Sequence, residues 1–299
     1  MINKNLHFFL AIKPGGESQY YASIHNLIDW LKRKGVEVLT HQKYLNKIEE
    51  PAHSNLEKKL KVIDSVNDES IDFYISLGGD GTLIGLCRKI ESQKPIIGIN
   101  LGKLGFITEF NAIEMFDILE KILNDQFHTK KITTFTAQVK RNGQTVFEFH
   151  FLNDAVISKS NIARMFEVSI ETDASSIFNL AGDGVIFSSP VGSTAYSLAA
   201  GGPIVHPGVQ GLVITPICPH GLTHRPIVLS DDSKIRASLL YRDQEISLTI
   251  DGQKVFPIKF GDDVLIQKNE HHHLVFVENK DKDYFFTLKE KFFLSRRNS

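Results

Sequence analysis

The residues best able to do chemistry stand in two glycine-rich runs. The first, LGGDGTLIG from Leu77 to Gly85, follows an apolar segment at Ile71 to Leu77. Paired glycines let bare backbone approach a ligand, and a helix after Thr82 would aim its free N–H groups at the turn, which suits a phosphate. Asp80 would then sit in the crevice at the carboxyl end of a parallel strand, where open α/β sheets bind ligands. A carboxylate at that point has two possible tasks. It caps the helix, or it serves the ligand that the crevice binds. No Gly-Lys-Ser/Thr run of the P-loop kind occurs in the chain as an alternative phosphate site.

The second run, GDGVIFSSPVGSTAYSLAAGGPIVHP, spans Gly182 to Pro207. Ser193 is placed to cap a short helix that Gly201-Gly202 ends, presenting hydroxyls and a helix N-terminus to an anion or an amide. Ala195 permits close approach, and Tyr196 is either a stacking face for a base or a core aromatic. Asn153-Asp154, read as the end of a strand begun at Thr145, either forms a simple turn or supplies donors and acceptors for base edges and ribose hydroxyls. Asp251-Gly252-Gln253 reads by itself as a hairpin turn, and as a ligand contact only in context. His271, His272 and His273 would point to alternate faces of a strand and cannot all ligate one metal, so they are solvated or edge residues.

The elements that must position these groups change character along the chain. Apolar runs at Phe8 to Ile12, Val36 to Leu39, Ile71 to Leu77 and Ile96 to Ile99 alternate with helical patterns. One helix is read over Ser23 to Lys34, from Ile24, Leu27, Ile28 and Leu31, and another over Ile113 to Leu123. This alternation predicts an α/β domain over residues 1–132, an open, mostly parallel sheet with helices on its faces. From Thr133 short strands and turns take over, including Asn142-Gly143 between Thr134 to Lys140 and Thr145 to Phe151, a hairpin signal. Residues 133–266 are therefore expected to form a β-rich domain. A helical tail over Lys282 to Phe293, within residues 267–299, is expected to return to the N-terminal domain.

Composition excludes several classes. Of 299 residues, 42% are hydrophobic and 23% charged, which speaks for a packed core and against disorder. A net charge of -1 gives no basic field for nucleic acid. No apolar stretch has membrane-spanning length. Two cysteines, Cys87 and Cys218, are too few for a disulfide framework or a Cys-based zinc site, and are read as buried free thiols in a reducing cytoplasm.

Taken in order, these pieces resemble the NAD kinase family over nearly the whole chain. The matching motifs are GGDGT at Gly78 to Thr82, LGFIT at Leu104 to Thr108 and NDAVI at Asn153 to Ile157. They continue with GDGVI at Gly182 to Ile186, GSTAYS at Gly192 to Ser197, GGPIVHP at Gly201 to Pro207 and DGQ at Asp251 to Gln253. GGDGT alone is shared with phosphofructokinases and lipid kinases, whereas GSTAYS with GGPIVHP is far more specific. The resemblance implies an enzyme that holds NAD between its two domains. It would transfer the terminal phosphoryl of ATP, or of polyphosphate, to the 2′-hydroxyl of the adenosine ribose, giving NADP. A divalent ion, magnesium, would accompany ATP. Asp80 matches the proton acceptor and, with Gly81, Asn153, Asp154, Asp183, Thr194, Ala195, Tyr196, Ser197, Leu198, Ala199 and Gln253, a position lining the NAD site. Phe106 matches an aromatic near the adenosine, and Arg164 a variable basic position reaching the dinucleotide. The resemblance also implies a cytoplasmic homo-oligomer, dimer or tetramer. It departs at Ser189 and Val191, where the family usually has threonines. The alternatives are another GGDGT kinase, phosphofructokinase-like or lipid-kinase-like, and a non-catalytic dinucleotide-binding regulator.

Overall fold

Phe8, Phe9, Leu10, Ala11 and Ile12 are all fully buried, with no alternation between an inner and an outer face. A strand of that kind must be covered on both sides, as in a parallel sheet flanked by helices. The computed structural model describes residues 5–13, 18–46, 48, 52–102, 105–159, 166–241 and 245–292, and it shows this arrangement. The chain divides into two compact units, Met1–Ile132 with Leu274–Ser299, and Thr133–His273.

The first unit contains β1 (His7–Ile12), α1 (Ser18–Arg33), β2 (Glu37–His41), α2 (Gln42–Leu45), α3 (Ala52–Glu57), β3 (Lys61–Ile63), β4 (Phe73–Leu77), α4 (Asp80–Cys87), β5 (Pro95–Asn100), β6 (Phe110–Asn111) and α5 (Met115–Leu123). Its strands run parallel in the order β3-β2-β1-β4-β5, with β6 also on β5. Helix α1 begins earlier than its apolar spacing indicates, at Ser18, and buries Ile24, Leu27, Ile28 and Leu31 completely. Each such side chain contributes about 1.5–3 kcal/mol on burial. The chain steps outward from β1 to β2 and β3, then returns to the other flank of β1 as β4. That reversal is the topological switch point at which such sheets bind ligands. The carboxyl ends of β1 and β4 are tied there by the Lys13 N–H on Leu77 O at 3.0 Å and by the Tyr20 hydroxyl on the same oxygen at 3.1 Å.

The second unit is antiparallel and begins within β7 (Thr129–Arg141). It continues through β8 (Gln144–Phe151), β9 (Asp154–Lys159), β10 (Phe166–Thr172), β11 (Ser176–Gly182), β12 (Gly184–Ser188), α6 (Tyr196–Ala199), β13 (Gly211–Ile217), β14 (Ile227–Ser230), β15 (Ile235–Leu239), β16 (Ile246–Ile250), β17 (Lys254–Ile258) and β18 (Asp262–Val277). One sheet has the order β14-β13-β12-β9-β16-β17, and the second runs β11-β10-β15-β18, with the β7–β8 hairpin on β18. Asn142 and Gly143 both take positive φ in that hairpin, as the primed turn demands. Val168 and Ile170 of one sheet and Val185, Phe187 and Leu248 of the other share one core.

Strand β18 ends in the first unit, where Val275 and Phe276 pair in parallel with β5. It is followed by α7 (Tyr284–Phe292), which buries no residue; Phe293, the last residue of the expected tail helix, lies outside the described residues. The fold class is the one the sequence pattern indicates: a mostly parallel sheet with helices, then an antiparallel β-rich part. Strands β3, β11, β14 and β17 escape the periodicity. Lys61–Ile63 and Lys254–Ile258 are sheet edges that stay largely exposed, so neither carries a clean apolar alternation.

Candidate active site

Asp80 is the first residue of α4, and Gly79 takes the N-cap position without any side-chain capping bond. The capping reading of Asp80 is therefore replaced by a different geometry. Its Oδ2 accepts the Phe106 N–H at 2.7 Å. Its Oδ1 accepts the Thr108 N–H at 3.1 Å, the Thr108 hydroxyl at 2.8 Å and, more weakly, the Ile107 N–H at 3.3 Å. Thr108 is buried, and its oxygen in turn accepts Asn100 Nδ2 at 3.1 Å. The loop comes this close because residue 105 is glycine: a β-carbon there would fall on Asp80 Oδ1 and Thr108 Oγ1. A negative charge at this end of α4 also suits the helix dipole. Gly81 lies exposed in the first turn of α4, and Phe106 is half-buried.

In the second unit Asn153-Asp154 does not end the strand begun near Thr145. Strand β8 stops at Phe151, and Asp154 opens β9. The break has a physical cause. The N–H groups of Leu152, Asn153 and Asp154 leave the ladder and converge on the Asp251 carboxylate, at 3.2, 2.8 and 3.1 Å. Strand β9 lies between β12 and β16, with Ser188 opposite Asp154 and Ile250 opposite Ala155. Antiparallel pairing thus delivers both the segment after β12 and the β16–β17 turn to the first residue of β9. Gly192 packs so tightly there that a β-carbon would strike the Asn153 carbonyl. The result is a cavity of about 360 Å³ whose wall includes Asn153, Asp154, Ala195, Tyr196, Thr249 and Asp251.

Asp154 is buried, and that burial, with the Asp251 carboxylate beside it, pushes its carboxyl up to about 7. A backbone N–H from Tyr196 opposes the shift. Tyr196 is 47% exposed, which favours a stacking face over a core aromatic.

The other expected residues are placed differently. Ser193 is not a helix cap: it is fully buried, donates to Pro190 O at 2.6 Å, and accepts the Val205 N–H at 3.0 Å. A residue between Gly192 and the GGPIVHP segment is drawn inward because that segment needs its backbone satisfied. Thr194 donates to Val191 O at 3.2 Å, and Ser197 is buried against Thr215 at 2.8 Å. Leu198 and Ala199 belong to α6, and Gln253 is exposed in the turn after Asp251. Asp183 forms an ion pair with Lys159 at 2.7 Å; that lysine, with the Cys218 thiol, holds its carboxyl below the usual range. Cys218 is exposed, contrary to the buried setting its apolar neighbours indicate, because β13 ends at Ile217 and it falls in the bend beyond; Cys87 is buried. Arg164 lies outside the described residues. Sequence reading left Asp251 open between a turn and a ligand contact and did not single out Thr108, although both stand inside motifs, DGQ and LGFIT.

A carboxylate-bearing turn at the switch point of a parallel sheet, and a cavity in an antiparallel unit with Asn153, Asp154 and Asp251 in its wall, suit a nucleotide-dependent phosphotransferase built of two units. Residues 8–127 match the ATP-NAD kinase N-terminal domain and residues 152–278 the ATP-NAD kinase C-terminal domain. The chain belongs to the NAD kinase family. An NAD kinase of Geotalea daltonii is 40% identical over 266 residues, 89% of this chain and 90% of that protein. One of Syntrophotalea carbinolica is 38% identical over 267 residues, 89% of this chain and 91% of that protein. Among solved structures, yeast NADH kinase complexed with NADH shares the fold at a TM-score of 0.82 and 23% identity, covering 100% of this chain and 89% of that one. An NAD kinase from Archaeoglobus fulgidus in complex with ATP gives a TM-score of 0.72 at 23% identity, covering 96% and 99%.

Two predictions follow from this geometry. Gly105→Ala must move Asp80 or the 106–108 loop, and a displacement near 1 Å can cost about a hundredfold in rate. The kcat for NADP formation is expected to fall by about that factor, with the melting temperature recorded on the same preparation. The second concerns Asp154, whose folded carboxyl titrates near 7 against an ordinary value of 3.8. The folded state binds this proton more tightly than the unfolded state, so the group's unfavourable contribution grows from about pH 4 and is complete above about pH 7. Asp154→Asn removes it. Its melting temperature relative to the parent should therefore climb between pH 4 and pH 8; a difference independent of pH would contradict the shift.

Proposed function

We propose that the chain transfers the terminal phosphoryl of ATP to the 2′-hydroxyl of the adenosine ribose of NAD, giving NADP, with Asp80 as proton acceptor. The observation that carries this reading is the unequal occupation of the Asp80 oxygens. Among the described residues Oδ1 accepts three donors, whereas Oδ2 accepts only the Phe106 N–H. Oδ2 therefore retains a lone pair for the hydroxyl proton. In the transfer the ribose oxygen forms a bond to the terminal phosphorus, the bond from that phosphorus to the bridging oxygen breaks, and ADP leaves. The proton passes to Asp80 Oδ2 and then to solvent. A ribose hydroxyl is a poor nucleophile near neutral pH, so a positioned base is worth about 10²–10⁴ in rate.

The second unit supplies recognition. Asp154, titrating near neutrality, can donate or accept a hydrogen bond, which suits a ribose hydroxyl. Asn153 offers both donors and an acceptor to a carboxamide or base edge, and the exposed Tyr196 ring offers a stacking face. Gly81, Phe106, Arg164, Asp183, Thr194, Ala195, Ser197, Leu198, Ala199 and Gln253 complete the proposed set. A divalent ion, magnesium, would neutralise charge on the donor phosphates. Among the described residues no group of three or more His, Cys, Asp or Glu gathers to hold a metal. Magnesium commonly rides on substrate phosphates with few protein ligands.

The reading includes a homo-oligomer, supported by the outer strands β14 and β17, which leave Val228 and Val255 exposed. It also places the protein in the cytoplasm: both cysteines are free thiols, as a reducing compartment allows. No described helix is long and apolar enough to cross a membrane.

The direct test is NADP formation from NAD with magnesium and ATP, other triphosphates or polyphosphate. Bound NAD without turnover on any donor would favour a dinucleotide-binding regulator. Asp80→Asn is expected to keep the fold and lower kcat by about 10²–10⁴-fold. An undiminished kcat at saturating substrates would remove Asp80 from the mechanism.

A further inference from the structure

The last turn of α7 reaches the loop that holds Asp80. Phe292 packs on Phe106 with ring centroids 5.8 Å apart, and the Lys291 ammonium lies 5.1 Å from the centre of the same ring. Phe106 is also the residue whose backbone N–H makes the 2.7 Å bond to Asp80 Oδ2, the oxygen assigned to the proton. Helix α7 buries none of its residues, and Phe285 and Phe286 of the same helix are 57% and 42% exposed. The helix is therefore not retained for a core of its own, yet its final turn clasps one particular ring.

We propose that Phe292, with Lys291 beside it, is a positioning residue for the phosphoryl transfer. By fixing the Phe106 ring it holds the adjoining N–H on Asp80 Oδ2 and so sets the direction in which the free lone pair of that oxygen points. A half-buried aromatic on a loop has several rotamers to explore, and motion of its side chain is transmitted to the backbone it hangs from. An aromatic pair and a cation over the ring together narrow that motion. Phe292 and Lys291 need not touch substrate. Their effect on the reaction runs through Phe106 and the Asp80 carboxylate.

This inference rests on Asp80 being the base, so the experiment carries both claims separately. Asp80→Asn, Phe292→Ala, Phe292→Trp and Phe292→Leu are compared in the full chain for kcat, KM for NAD and melting temperature. Phe292→Ala is expected to lower kcat about three- to thirtyfold, within the range that misplacement of a reacting group produces, with the melting temperature near the parent's and any rise in KM for NAD, through the Phe106 ring, smaller than the fall in kcat. Phe292→Trp should restore kcat and Phe292→Leu should not, since the leucine keeps apolar contact but loses the ring pair. An unchanged kcat in Phe292→Ala would overturn the proposal, as would rescue by leucine equal to that by tryptophan. A rise in KM alone would also overturn it, because it would mean a substrate contact. If Asp80→Asn itself retains full kcat, the base assignment fails whatever Phe292 does. If only Phe292→Ala is silent, the positioning claim alone falls.

Discussion

A carboxylate that accepts successive backbone N–H groups fixes a short irregular segment as firmly as a ladder fixes a strand. Both units of this chain depend on that interaction. Asp80 takes the N–H groups of residues 106–108, and Asp251 takes those of residues 152–154. Each bond to a charged acceptor is worth about 1.5–3 kcal/mol, and buried donors without a partner would cost a comparable amount. The segments so held are too short and too bent to satisfy their own amides. The two carboxylates supply the acceptors that both loops lack in themselves.

The two carboxylates differ in what is left over for chemistry. Asp80 spends one oxygen on three donors and keeps a lone pair on the other, which is the asymmetry a proton acceptor needs. Asp251 is consumed by the loop. Its charge then acts on a neighbour, helping burial to hold Asp154 near neutrality and turning a plain acid into a group able to donate or accept. Carboxylates of one residue type thus acquire different electrostatic settings from their surroundings alone, which is the usual way one fold sets acids and bases apart.

Chain direction explains why distant motifs meet. In the first unit a parallel sheet reverses its strand order between β1 and β4, and the GGDGT turn follows β4 at that switch point. In the second, the central position of β9 between two antiparallel neighbours delivers the end of β12 and the β16–β17 turn to a single residue, Asp154. Gly105 and Gly192 mark the points where backbone must come within the reach of a side chain or a carbonyl.

The amino-acid sequence alone determined the fold class, because periodicity of apolar residues is a local property. Continuous apolar runs at Phe8 to Ile12 and Ile96 to Ile99 required strands covered on both faces, and Asn142-Gly143 required a hairpin. Its motifs also singled out Asp80, Asn153, Asp154 and Tyr196, since their residue types carry the relevant chemistry wherever they are placed. Only the tertiary structure decided what each group does. It turned Asp80 away from the helix cap, opened β9 at Asp154 instead of ending a strand there, drew Ser193 inward, exposed Cys218 and brought Phe292 to the ring of Phe106. Hydrogen-bond partners a hundred residues apart leave no periodic signal, and the titration of a buried acid depends on neighbours that only folding assembles.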